Sequence, residues 1–252
     1  MAGGRLILIS NDDGYHAPGI RALKESLQGL GRLVVCCPDR EQSAASHALT
    51  LSRPLRLNRM AEDEFSVDGT PTDSVLLGIH VALKGKKPDL VISGINSGPN
   101  MADDISYSGT VAAALEGALF GIPSIAVSLT SHNPKDFSGA QKVARELAEW
   151  VFANGLPPET LLNVNVPAIE LAKIRGRRIT SQGKRHFEEI VSEKEDPRGV
   201  KYYWVAGTRV IPEQDPASDL LAVEQGYVSI TPLRFELTAE DLLGKLKGLE
   251  QG

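Results

Sequence analysis

Cysteine, positive charge and long apolar runs are scarce in this sequence, and each shortage removes a class of function. Its 252 residues hold two cysteines. Cys36 and Cys37 are adjacent and cannot frame a fold with disulfides. They lie in Leu33-Val34-Val35-Cys36-Cys37 and read as small buried hydrophobes. The net charge is -5 at pH 7, whereas non-specific nucleic-acid binding needs a basic field. No apolar stretch approaches the roughly 20 residues that span a bilayer. A strand-like run begins by Leu6, with no signal-peptide pattern before it. The expectation is a cytoplasmic protein with neither duplex nor membrane as partner. Common catalytic signatures are also missing: G-x-x-x-x-G-K-[ST], G-x-G-x-x-G after the first strand, G-x-S-x-G and H-E-x-x-H. His16, His47, His80, His132 and His186 show no metal-ligand spacing, and His47 is the one placed to test for proton transfer.

What is present is an alternation of strands and helices, in a chain long enough for one large α/β domain over residues 1–252. Apolar runs at Leu6–Ser10, Leu33–Cys37, Pro88–Gly94, Ser124–Leu129 and Leu161–Val166 read as buried parallel strands. Helices are predicted over Pro18–Leu30, Thr72–Leu83 (capped by Thr70 or Thr72), Val111–Phe120 and Phe137–Phe152. Alternating Leu49, Leu51, Leu55 and Leu57, broken by Pro54, suggest short edge strands. The pattern predicts a Rossmann-like, doubly wound, mostly parallel sheet, with its core in about 1–170. Beyond Pro167 the texture changes. Ile179 to Val210, with the aromatic, β-prone Lys201-Tyr202-Tyr203-Trp204-Val205-Ala206, reads as extended strands or a projecting arm. Such an arm, part of a β-rich region over about 171–252, suits oligomerisation. Ala239 to Leu249 reads as a final amphipathic helix. The basic cluster Arg175–Arg178 reads as a solvated face.

The chemistry concentrates where strands end. Asn11-Asp12-Asp13-Gly14 follows the first strand, and two adjacent carboxylates are costly to hold together unless a cation or substrate neutralises them. Asp13-Gly14 alone is also an ordinary turn dipeptide. A second loop offers Asp39, Gln42, Ser43 and Ser46, and a third reads Ser93-Gly94-Ile95-Asn96-Ser97-Gly98-Pro99-Asn100. In a doubly wound sheet these loops converge on one edge, and a set of oxygen donors suits Mg²⁺, Mn²⁺ or Ca²⁺. Tyr107-Ser108-Gly109-Thr110 opens a helix, whose free N–H groups can cradle a phosphate or, more plainly, be capped by Ser108 or Thr110. Adjacent side chains on a strand point to opposite faces, which argues against Asp12 and Asp13 as a facing pair of a glycosidase. A non-catalytic sensor using the same loops is a further reading.

With these residues in order, the chain resembles the survival protein E (SurE) family of metal-dependent 5′/3′-nucleotidases. The motifs are Ile9–Gly14, Pro38–Ser43 with Ser46 and Thr50, Gly69–Asp73, Pro88–Asn96, Tyr107–Val111 and Asn163–Pro167. The resemblance covers most of residues 5–167 and is looser beyond, where Asp219 matches a Thr-Asp stretch. It implies one divalent cation per subunit, Mg or Mn, held by Asp12, Asp13, Ser43 and Asn96. It also implies hydrolysis of nucleoside 5′- and 3′-monophosphates, with short polyphosphate included, by a homodimer or homotetramer. On this reading Ser108, Gly109 and Thr110 bind phosphate, Asn11, Asn96 and Asn100 help to orient it, and Asp12 or Asp13 serves as base or as nucleophile. Ala44 departs from the family pattern, which commonly has Gly there.

Overall fold

A computed structural model describes residues 4–184, 187–188, 191–205, 208–209 and 215–250. The nine-stranded main sheet is built from β1 (Leu6–Ser10), β2 (Arg32–Pro38), β3 (Leu57–Ala61), β4 (Glu64–Val67), β5 (Leu90–Ser97), β6 (Ser124–Leu129), β7 (Thr160–Val166), β8 (Arg177–Ile179) and β13 (Val228–Arg234). Their order is β3-β4-β2-β1-β5-β6-β7-β13-β8. From β4 to β7 every neighbouring pair is parallel, whereas β3 and β13 run antiparallel to β4 and β7. The fold is thus the doubly wound, mostly parallel α/β sheet that the strand–helix alternation predicts.

Both faces are covered. Helices α1 (Pro18–Ser26) and α4 (Ser138–Asn154) pack one face, where Ile7, Ile9, Leu23, Ile92, Val127 and Leu147 form the larger core. Helices α2 (Pro71–Leu77) and α3 (Gly109–Leu119) cover the other, over Leu8, Val34, Cys36, Val75 and Val91. Cys36 and Cys37 therefore lie on opposite faces, both fully buried, and burial pushes both thiols well up. That suits small hydrophobes and not redox partners. Thr70 caps α2 in a reciprocal capping box with Asp73, which fixes the start of that helix.

Several boundaries moved. Helix α1 stops at Ser26, because the chain turns at Leu27–Leu30 before β2. Residues 49–56 form no strand. The edge pair is β3–β4, and β4 is held by parallel pairing with β2, a long-range contact that alternation along the chain does not show. Beyond residue 170 the chain returns to the main sheet. Strand β13 pairs with β7 and β8 with β13, joined through α5 (Asp219–Glu224). Val228-Ser229-Ile230-Thr231 is as apolar as its neighbours but lacks the sharp turn signals of the earlier strands. The projecting element is the hairpin β10 (Val191–Glu195) and β11 (Lys201–Val205), with Tyr203, Trp204 and Val205 exposed. Short strands β9 (Phe187–Glu188) and β12 (Thr208–Arg209) pair antiparallel beside it. Helix α6 spans Glu240–Leu246. His186 and the end of the predicted arm at Val210 lie outside the described residues. The basic cluster is spent locally: Arg177 pairs with Glu146, while Arg175 and Arg178 stack on Tyr227 at 4.9 and 3.9 Å.

Candidate active site

Strand order reverses between β1 and β5: β2 lies on one side of β1, and β5, which continues into β6 and β7, on the other. This is the switch point where open α/β sheets leave a crevice beyond the carboxyl ends of their strands. Here the crevice is a cleft of about 650 Å³. Asp12 and Asp13 line it from the end of β1, Ser43 and Ala44 from the second loop, Asn96–Asn100 from β5, and Ser108 from the start of α3. The three oxygen-rich loops converge as the topology requires.

Both carboxylates face the same cleft. The side-chain alternation used to set them on opposite faces ends at Ser10, and Asp12-Asp13 lies in the bend that follows. Asp12 is 5% exposed. Burial, reinforced by the charge of Asp13 and opposed by hydrogen bonding from Thr110, pushes its carboxyl up to about 6. Asp13 is also raised, first by burial, although the Ser97 N–H donates to its Oδ2 at 3.1 Å and works the other way. That bond ties the end of β1 to the end of β5 across the switch point.

The other candidates divide by what their polar atoms already do. Thr110 Oγ1 donates to Asp12 Oδ1 at 2.5 Å and is fully buried, so Thr110 positions Asp12 and is not poised toward a phosphate. Ser108 is the N-cap of α3, its Oγ accepting from Val111 N at 3.1 Å. Its hydroxyl proton is left to donate into the cleft. Gly109 lacks a positive φ. It is needed because a Cβ there would lie 2.8 Å from Asp12 Cβ and 3.0 Å from Pro71 Cγ. Asn11, Asn96 and Asn100 each use the side-chain amide nitrogen internally, on Gly14 O, Gly98 O and Ser128 Oγ at 3.0, 2.9 and 2.8 Å. Asn11 and Asn96 therefore offer carbonyl oxygens more readily than phosphate-directed donors.

These groups fit a hard cation. Asn11 Oδ1 is buried with no hydrogen-bond partner among the described residues, and Asp12, Asp13, Ser43 and Asn96 supply further oxygen. Among the described residues no three His, Cys, Asp or Glu side chains gather as a metal cluster. A cation here would depend on two carboxylates plus neutral oxygens. Ser43 Oγ presently donates to Glu41 at 2.7 Å. Ala44 sits at φ +57, the left-handed region in which glycine is at ease.

Glu41, Asp104 and His132 are charged or ionisable lining residues to which the sequence reading assigned no role. Only the turn after β6 could have signalled His132. His47 does not reach this cleft. Its Nε2 lies 2.8 Å from Glu116 Oε2 in a separate hollow beside Phe235. Asp39, Gln42 and Ser46 do not line the cleft: Gln42 N donates to Asp12 O at 2.8 Å, Ser46 holds Ser106 and Tyr107, and Asp39 Oδ1 is buried with no hydrogen-bond partner among the described residues. Asp219 is fully buried and accepts from Ala102 N and Gly183 N, bracing the turn that precedes Ser108.

Residues 7–189 match the family described as Survival protein SurE. The chain belongs to the SurE family. A 5′-nucleotidase SurE from Geotalea daltonii is 50% identical over 97% of this chain and 98% of its own. One from Geobacter metallireducens is 51% identical over 96% of each. The crystal structure of the SurE protein from Aquifex aeolicus superposes with a TM-score of 0.88 at 45% identity, covering 97% and 99% of the two chains. The SurE relationship thus extends through β13, well past the motifs that first revealed it.

Proposed function

We propose that this chain is a 5′-nucleotidase, hydrolysing nucleoside monophosphates with one divalent cation, Mg²⁺ or Mn²⁺, per subunit. The observation that carries the reading is the meeting of Asp12, Asp13, Ser43, Asn96 and Ser108 around one cleft at the switch point. In a SurE chain about 50% identical to 5′-nucleotidases, that arrangement favours phosphate ester chemistry. When bound, such a cation would supply Lewis-acid polarisation of the phosphoryl oxygens.

The chain's own groups divide the remaining work. Asp12, Asp13, Ser43 and Asn96 would hold the cation, Asn11 precedes them with a buried Oδ1 that has no hydrogen-bond partner among the described residues, and Thr110 keeps Asp12 in place. Ser108 donates to a phosphoryl oxygen, and the backbone of Gly109 permits the approach of Asp12. Asn100 lines the cleft with its amide nitrogen tied to Ser128 Oγ. Asp13, less buried than Asp12, takes the proton of the attacking water. The family resemblance extends the proposal to 3′-monophosphates and short polyphosphate. It also extends to one domain over residues 1–252 and a homodimer or homotetramer joined through the β10–β11 hairpin. Among the described residues no helix is long and apolar enough to cross a membrane, in keeping with a cytoplasmic setting.

Phosphate release from adenosine and guanosine monophosphates, with Mn²⁺ or Mg²⁺ and again after chelation, tests the reading. Cation-dependent release is expected. Binding without turnover would instead make the chain a sensor.

A further inference from the structure

We infer that His132 is the general acid that protonates the departing ester oxygen, an assignment resting on the phosphomonoesterase reading above. Its ring stands on the wall of the cleft formed by the 96–100 loop. Gly98 makes the seat. At φ +136 and without a side chain, it leaves the space where a Cβ would lie 2.8 Å from His132 Nδ1 and 3.0 Å from Cε1. The same glycine accepts from Asn96 Nδ2 through its carbonyl at 2.9 Å and donates its N–H to Leu129 O at 3.0 Å. The imidazole thus rests on the short backbone stretch that also positions Asn96.

The turn that carries His132 is pinned. Thr130 N donates to Val166 O at 3.0 Å, and Ala168 N donates to Thr130 Oγ1 at 3.0 Å. His132 itself is exposed and so can recover a proton from water after each turnover.

The chemistry calls for such a group. An alcohol is expelled slowly as an alkoxide, and a positioned acid relieves that cost. The other ionisable side chains of the cleft are Asp12, Asp13, Glu41, Asp104 and Tyr107. Asp12 and Asp13 are ionised when they hold a cation. Glu41 accepts from Ser43 and so serves as an acceptor. A phenol parts with its proton less readily than an imidazolium, the side chain that exchanges near neutral pH. In the step, the water oxygen bonds to phosphorus and its proton passes to Asp13. The bond from phosphorus to the ester oxygen breaks with its electron pair on that oxygen, which takes the proton from His132. Asp13 then returns a proton to solvent and His132 regains one.

The test compares leaving groups in the full-length, cation-loaded protein. p-Nitrophenyl phosphate expels a resonance-stabilised phenolate that has little need of an acid. His132→Gln is expected to lose about 100-fold in kcat on adenosine monophosphate but within about threefold on p-nitrophenyl phosphate. Its melting temperature should match the wild type, since the ring is exposed. Added imidazole should restore part of the nucleotide activity of His132→Ala. Retained activity on the nucleotide, or equal loss on both substrates, overturns the assignment and leaves the hydrolase reading standing. A wild type that turns over neither substrate overturns both.

Discussion

Thr110 Oγ1 donates to Asp12 Oδ1 at 2.5 Å across 98 residues of sequence. The second residue of α3 and the first carboxylate after β1 are therefore one unit. A helix start that reads as an anion cradle is, at Thr110, the mount of a carboxylate.

Asp12→Asn is expected to abolish cation-dependent turnover while the protein stays folded. Amide Oδ1 can still accept from Thr110, and a buried charge is removed. Its pKa of about 6 against an ordinary 3.9 corresponds to a cost of order 2–3 kcal/mol for the ionised form at pH 8. Melting without cation should therefore be unchanged or later. Activity in chelator-treated buffer equal to the wild type would refute the site.

The same shift sets a pH dependence. The folded-state pKa lies above the unfolded one, so the folded protein binds the extra proton. Asp12's favourable contribution is complete below about pH 4 and is lost as pH rises through about 6. A cation competes with that proton. The rise in melting temperature produced by Mn²⁺ should therefore be large at pH 7.5 and small at pH 5. An equal rise at both would show that Asp12 is not a ligand.

EDTA should remove activity, and Mg²⁺ or Mn²⁺ should restore it, with Zn²⁺ a poor substitute. The donors around Asp12 and Asp13 are all oxygen, and zinc favours nitrogen and sulfur. Zinc copurifying as the tightly bound metal would contradict this donor set.

Gly109→Val should cost activity and stability together. Its Cβ would meet Asp12 Cβ at 2.8 Å and Pro71 Cγ at 3.0 Å, an overpacking worth about 1–3 kcal/mol. Thermal melting with and without vanadate gives the check. The wild type should gain protection and the variant should melt earlier and gain little. A variant that melts normally yet is inactive would return Gly109 to a direct role in anion binding.

Ala44→Gly should leave the protein equally stable or up to about 1 kcal/mol more so. Relief of the left-handed backbone at φ +57, about 1–2 kcal/mol, outweighs the added freedom of the unfolded chain. Denaturant unfolding measures it, and a clear loss of stability would mean that the loop holds Ala44 by its methyl group.

The sequence by itself determined the local and the periodic. Buried runs such as Leu6–Ser10 and Ser124–Leu129 can only be inner strands, because a segment apolar on both faces must be covered on both. The amphipathic spacing of α1 and α4, the Thr70 cap, and the donors clustered at strand ends were legible for the same reason: each depends on neighbours a few residues apart. The tertiary structure decided what depends on distant partners. Strand β13 exists through β7, and β4 through β2. Asp12 and Asp13 share a cleft because the strand ends before them, and Asp12 is buried because α3 folds over it. Thr110 and Gly109 take their roles from contact with Asp12, and His132 reaches the cleft because β6 ends beside β5. Pairings of that kind depend on which surfaces meet when the chain closes, and no short window of sequence records it.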